Sequence, residues 1–124
     1  MIRIHTLSDS AAVSAMEEGE FPPAVTGSSD RVAIVLTQGW CPDWLMMKSW
    51  LTRAERGSQP KDVDVDVYVL IYNKVDYYER FRRFKEEVLG NSLIPYVRFY
   101  FMGRYVGDSN QLSRAAFFRR FEPA

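Results

Sequence analysis

Residues 39–44 read Gly-Trp-Cys-Pro-Asp-Trp and contain Cys41, the only cysteine of the 124-residue chain. The apolar, β-branched run RVAIVLTQ at residues 31–38 precedes them and predicts a strand buried on both faces. Pro42 has no N–H, which suits it to a first helical turn, so a helix is predicted to begin there. The thiol would then lie at a helix N-terminus, where free N–H groups and the helix dipole favour a thiolate.

Strand and helix patterns alternate along the rest of the chain. Alternating or apolar runs predict strands at residues 2–6 and 63–73, and a hairpin at 96–108 that turns at Met102-Gly103. Capping residues and helical spacing predict three helices besides the one at Pro42, at residues 8–20, 76–91 and from 109 to before Pro123. Asp108 or Ser109 is the expected cap of the last helix. The segment 21–30 is rich in Pro, Gly and Ser and is predicted to be a connecting loop.

This order, β-α-β-α-β-α-β-β-α, predicts an α/β protein with a parallel core and an antiparallel final hairpin. The helix that begins at Pro42 carries a stripe of apolar residues that is expected to face the core. The stripe consists of Met46, Met47, Trp50, Leu51 and Ala54.

The length and composition indicate one domain over residues 1–124 with a well-filled interior, since 47% of residues are hydrophobic. Lys+Arg and Asp+Glu are both 16, so charge gives no reason to expect nucleic acid or an anionic membrane as partner. A net charge of zero leaves self-association, as a homodimer, open. One cysteine cannot form an internal disulfide, and the first residues lack the apolar core of a signal peptide. A cytoplasmic protein is therefore expected.

The motif and the order of elements together resemble the thioredoxin-like superfamily. WCPDW at residues 40–44 is similar to the WCxxC active-site turn of that family with its last cysteine replaced, and Ile94-Pro95 resembles the family's cis-proline before the final hairpin. The resemblance covers nearly the whole chain. It implies a three-layer fold with a mixed central sheet and helices on both faces. It also implies that Ile94–Pro95 is cis and faces Cys41, and that a bound peptide pairs with Ile94 by strand addition.

Two departures from the family pattern bear on function. Trp44 occupies the position of the resolving cysteine, so a dithiol exchange cycle cannot close within one chain. Val35 stands six residues before Cys41, where thioredoxins carry a buried acid. A general disulfide reductase is therefore not expected. The helix N-terminus favours the thiolate of Cys41, whereas the charge of Asp43 and the neighbouring indoles oppose it, which predicts a mildly acidic thiol.

Two functions are compatible with this motif. The first is monothiol redox chemistry, in which Cys41 is the catalytic residue and forms a mixed disulfide with a protein or low-molecular-weight thiol. The second is a non-catalytic binding module that holds a peptide or another subunit in a groove near Trp40, Trp44 and Pro95, or at an open sheet edge. The candidate partner-binding residues are Trp40, Pro42, Asp43, Trp44, Ile94 and Pro95.

No motif predicts a cofactor or a metal site. Three aspartates have the spacing that opens a calcium loop, namely Asp62, Asp64 and Asp66. Val67 and Asn73 stand where such a loop requires Gly and Glu, so the aspartates are interpreted as the polar side of a strand entrance. His5 is the only histidine, and the sequence suggests no partner for it, so an exposed strand position is expected. No P-loop or dinucleotide fingerprint is present.

Overall fold

A computed structural model describes residues 1–110 and 112–121, and within these residues five strands form one mixed sheet. The strands are β1 (Ile2–Thr6), β2 (Arg31–Thr37), β3 (Val65–Ile71), β4 (Tyr96–Phe101) and β5 (Arg104–Ser109). Their order across the sheet is β1-β3-β2-β4-β5. β1 and β2 pair in parallel with β3, whereas β4 pairs antiparallel with both β2 and β5. The predicted parallel core and antiparallel hairpin are confirmed.

Helices connect the strands and cover both faces of the sheet. They are α1 (Asp9–Glu18), α2 (Pro23–Thr26), α3 (Pro42–Arg56), α4 (Tyr78–Arg83) and α5 (Arg114–Arg119). A 3-10 turn over Tyr72–Lys74 follows β3, and α4 continues into a π-helical turn over Phe84–Val88. None of the helices in the described part of the chain combines the length and hydropathy that a membrane crossing requires.

One helix was not predicted, and the predicted start of another is wrong. The segment expected to be only a loop contains α2, which begins at Pro23 because proline suits a first helical turn. The last helix is capped by Ser113, whose hydroxyl accepts the N–H of Ala116, and not by Asp108 or Ser109. Those two residues pair with β4 and therefore belong to β5. The predicted end of this helix before Pro123 lies outside the described residues.

Alternation along the strands sends apolar side chains to both faces, where they form two clusters. The cluster under α3 and α5 includes Ala33, Val35, Val67, Val97, Phe99, Trp44, Leu51 and Phe117. The cluster under α1 and α4 includes Val32, Ile34, Leu36, Leu70, Ala12, Phe81 and Tyr96. Every residue of β2 after Arg31 is buried, so the predicted burial of this strand on both faces is confirmed.

His5 has a partner that the sequence did not suggest. Its Nε2 lies 2.6 Å from Oδ1 of Asp66, which also accepts a hydrogen bond from Nε of Arg3 at 2.9 Å, and its ring stacks on Tyr68. Burial acts to raise the pKa of Asp66, but hydrogen bonds from Arg3, His5 and Ser29 outweigh it and lower the pKa to about 2. Parallel pairing of β1 with β3 creates this cluster from residues about 60 positions apart.

Candidate functional site

The start of α3 places Cys41 at the end of β2. Cys41 is the N-cap residue, with extended backbone at φ −69° and ψ 121°, and its side chain makes no hydrogen bond to the first helical turn. Its N–H donates to the carbonyl of Gln38 at 3.2 Å, and its carbonyl accepts the N–H of Leu45 at 3.0 Å. The cysteine therefore lies at the helix N-terminus, as Pro42 predicted.

The thiol of Cys41 is closed off from solvent. Only 4% of the residue is exposed, and Sγ donates to the carbonyl oxygen of Ile94 at 3.7 Å. The Ile94–Pro95 peptide bond, which the resemblance implied to be cis, is cis in the structure. The carbonyl of Ile94 already has a partner in the thiol, which competes with backbone pairing to a bound peptide. At this exposure the sulfur offers almost no surface to a reagent in the folded protein.

The two tryptophans of the motif lie in opposite environments. Trp44 is 3% exposed and packs in the cluster under α3 and α5, so its predicted place in an exposed aromatic groove is wrong. It is the third residue of α3 and lies on the helix face that turns toward the sheet. Trp40 is 64% exposed, and its indole N–H donates to Oε1 of Gln38 at 2.6 Å. Of this pair, Trp40 alone presents an exposed aromatic surface.

Gln38 fixes the position of Trp40. Its amide nitrogen lies 3.3 Å from the hydroxyl of Tyr72 and 3.5 Å from that of Tyr78, and it donates to both. The two tyrosine rings are stacked, with centroids 5.8 Å apart. Beside them, the N–H of Gly39 donates to Oδ1 of Asn73 at 3.0 Å. The exposed indole is thus held by Gln38, which is itself fixed by hydrogen bonds to the segment that follows β3. The sequence did not indicate this contact.

A groove of about 430 Å³ lies between α3 and the segment that leads into α5, with Pro95 in its lining. Its apolar surface is formed by Met46, Met47, Trp50, Pro95 and Leu112. Asp43, Asn110 and Arg114 supply polar groups. The groove predicted near Trp40, Trp44 and Pro95 is therefore displaced, since neither tryptophan lines it.

Met46 and Trp50 belong to the apolar stripe of α3 that the sequence predicted to face the core. Met46 is instead 71% exposed, whereas its neighbour Met47 is buried, and Trp50 is only partly buried. Met47, Leu51 and Ala54 already supply the face that meets the sheet. The predicted apolar stripe is wider than the face of α3 that meets the sheet, because Met46 and Trp50 lie one turn apart beside that face. This extra width is the sequence signal that could have indicated the groove.

Comparison with known proteins gives the fold. No protein-family model matches the sequence, and none of the curated proteins is similar to it. Among solved structures, the chain is similar to thioredoxin O1 of Arabidopsis thaliana, at 13% identity and a TM-score of 0.60, over 95% of this chain and 92% of that one. It is also similar to thioredoxin O2 of the same plant, at 14% identity and a TM-score of 0.59, over 96% and 95% of the two chains. The chain has a thioredoxin-like fold.

Proposed function

We propose that the protein is a non-catalytic binding module whose groove beside Pro95 receives an apolar segment of a partner protein. One observation carries the proposal. The thiol is enclosed, with 4% exposure at Cys41, while an apolar groove of about 430 Å³ is open next to it. Grooves of this volume with a few polar groups are typical of binding sites.

The environment of the thiol supports binding in preference to exchange chemistry. Thiol–disulfide exchange requires the attacking sulfur to reach a partner sulfur, and Cys41 is buried under the carbonyl of Ile94. A second thiol at position 44 would release the mixed disulfide, but that position holds Trp44, which is part of the core. The positions of Cys41 and Trp44 therefore favour neither the formation nor the release of a mixed disulfide.

The lining of the groove indicates what the partner presents. Met46 and Trp50 offer a flexible thioether and a flat indole, which together adapt to apolar side chains of different shape. Arg114 and Asp43 place one charge of each sign in the lining. An apolar segment of the partner, flanked by polar residues, matches this arrangement. Apolar and aromatic anchors supply most of the binding energy, and the polar groups at the rim determine which segments fit.

Selection of peptides from a random library displayed on phage, against the immobilised protein, tests the proposal. We expect peptides with apolar anchors to be enriched, and Met46→Lys to weaken a selected peptide at least about 10-fold by placing a charge in the groove. Val88→Lys changes another exposed apolar residue, on the π-helical turn, and should leave affinity unchanged. Cys41→Ser should also bind normally. Absence of enrichment, or loss of binding with Cys41→Ser, would overturn the proposal.

A second candidate function is monothiol redox chemistry in the cytoplasm, where a free cysteine stays reduced. The position of Cys41 supports this function. It is the N-cap residue of a helix of 15 residues, and its side chain makes no hydrogen bond to the first helical turn. The Cys41 thiolate would attack a disulfide of a protein or small-thiol partner, form a mixed disulfide and release the second sulfur as a thiolate.

Reaction of the native protein with a disulfide reagent separates the two candidates. The binding module needs no reactive thiol, and the buried position of Cys41 then predicts slow reaction until the protein unfolds. The redox candidate requires rapid reaction in the folded state, faster than an unstructured cysteine peptide at slightly acidic pH. Neither candidate predicts reduction of insulin, since no neighbouring thiol releases the mixed disulfide.

A further inference from the structure

A fully buried lysine lies beneath the loop that leads to Pro95. Lys85 belongs to the π-helical turn after α4, and its side chain is inaccessible to solvent. Its Nζ donates to the carbonyl oxygen of Asn91 at 2.8 Å and to that of Leu93 at 2.7 Å. Both acceptors belong to the loop before the cis-proline, so the ammonium holds this loop at two points.

The same loop is connected to the opposite wall of the groove. The side-chain amides of Asn91 and Asn110 form a reciprocal pair, with both nitrogen-to-oxygen distances 2.9 Å. The amide nitrogen of Asn110 also donates to the carbonyl of Pro95 at 3.0 Å. Asn110 and Pro95 both line the groove. A continuous set of hydrogen bonds therefore runs from Lys85 to the groove.

We propose that Lys85 is a positioning residue for the groove, because its ammonium fixes the loop 91–93 and, through the Asn91–Asn110 pair, the placement of Pro95. The proposal rests on the proposed function only for the role of the groove. A buried cation is costly unless hydrogen bonds satisfy it, whereas an apolar side chain could fill the same space. The two loop carbonyls supply the hydrogen bonds that offset this cost, and charge-assisted bonds orient a loop more strongly than neutral ones.

Burial, and not the charge of its neighbours, brings the titration of Lys85 toward pH 8. Burial lowers the pKa of Lys85 to about 8, against the opposing attraction of Glu86 on the same turn. From β4, the ring of Tyr96 faces the ammonium at 5.5 Å, and its hydroxyl bonds to Asp108 and Arg98. Burial raises the pKa of Tyr96, so it remains neutral over this range. Of Lys85 and Tyr96, only Lys85 is therefore expected to change charge near pH 8.

An NMR titration of backbone amides between pH 6.5 and 9.5 tests the proposal without any ligand. We expect the amides of Leu93 and Asn110 to shift with a common midpoint near pH 8 in the wild type, and not to do so in Lys85→Met. Lys48→Met, which changes an exposed lysine of α3, should leave the midpoint in place. Asn110→Ala should preserve the titration at Leu93, whose N–H donates to the side chain of Asn91, and remove it at position 110, because it cuts the connection between them.

The same titration in Cys41→Ser, which removes the thiol that contacts the carbonyl of Ile94, decides the outcome even if Lys85→Met fails to fold. Absence of a common midpoint at Leu93 and Asn110 would overturn the proposal, as would its persistence in a folded Lys85→Met. A peptide selected for groove binding should also bind several-fold more weakly at pH 9 than at pH 7, in the wild type alone. If no peptide binds but the amides titrate, the proposed function fails and the role of Lys85 in placing the loop stands.

Discussion

The two residues of the cis peptide bond, Ile94 and Pro95, border regions that meet solvent differently. The carbonyl of Ile94 accepts a hydrogen bond from the buried thiol of Cys41, and Trp44, in the first turn of α3, packs in the same apolar cluster as Cys41. Pro95 lines an open groove together with Met46, which is largely exposed. Both regions are built on the first turns of α3. A cysteine at a helix N-terminus is therefore not accessible for that reason alone, because neighbouring loops decide what reaches it.

The largest expected effect comes from the two tryptophans of the motif. Trp44→Ala should lower the free energy of unfolding by about 3–5 kcal/mol, because it leaves a large cavity in the cluster under α3 and α5. Trp40→Ala removes an exposed indole and should cost less than about 1 kcal/mol. Denaturant unfolding of both variants measures the difference. Equal losses of unfolding free energy in the two variants would mean that Trp44 is not packed in the core beside the thiol.

A second effect concerns the buried charge beneath the groove. The pKa of Lys85 is about 8 when folded and 10.5 when unfolded, so above pH 8 the unfolded chain holds the proton more tightly. Stability therefore rises with pH in this window, and the wild type should gain about 2 kcal/mol between pH 8 and 10 relative to Lys85→Met. Unfolding curves at the two pH values measure the gain. A flat difference would mean that burial does not lower the pKa of Lys85 in the folded protein.

The smallest effect is expected at the thiol itself. Cys41→Ser keeps a polar atom at the N-cap that can accept an N–H of the first turn, whereas Cys41→Ala does not. We expect the alanine variant to be about 1 kcal/mol less stable than the serine variant. Thermal or denaturant unfolding of the pair provides the measurement. Higher stability of the alanine variant would mean that apolar packing at position 41 outweighs helix capping.

Local chemistry in the sequence determined the elements of the fold and the place of the cysteine. Pro42 predicted the start of α3, and the apolar run of β2 predicted a strand buried on both faces. Met102 and Gly103 predicted the hairpin turn, where both residues have positive φ, at 53° and 80°. These features depend on backbone preferences and patterns within a few residues, so one sequence contains the information.

The packing of helices and strands against one another sets which of these residues are accessible. Trp40 and Trp44 are the same residue type in one motif, yet Trp44 is buried because it lies on the face of α3 that meets the sheet, whereas Trp40 precedes α3 and is exposed. The groove and the support of its loop by Lys85 join segments that are distant in sequence. The pairing of His5 with Asp66 arises in the same way, from β1 lying beside β3. Burial depends on which elements pack together, and no local pattern in one chain records that choice.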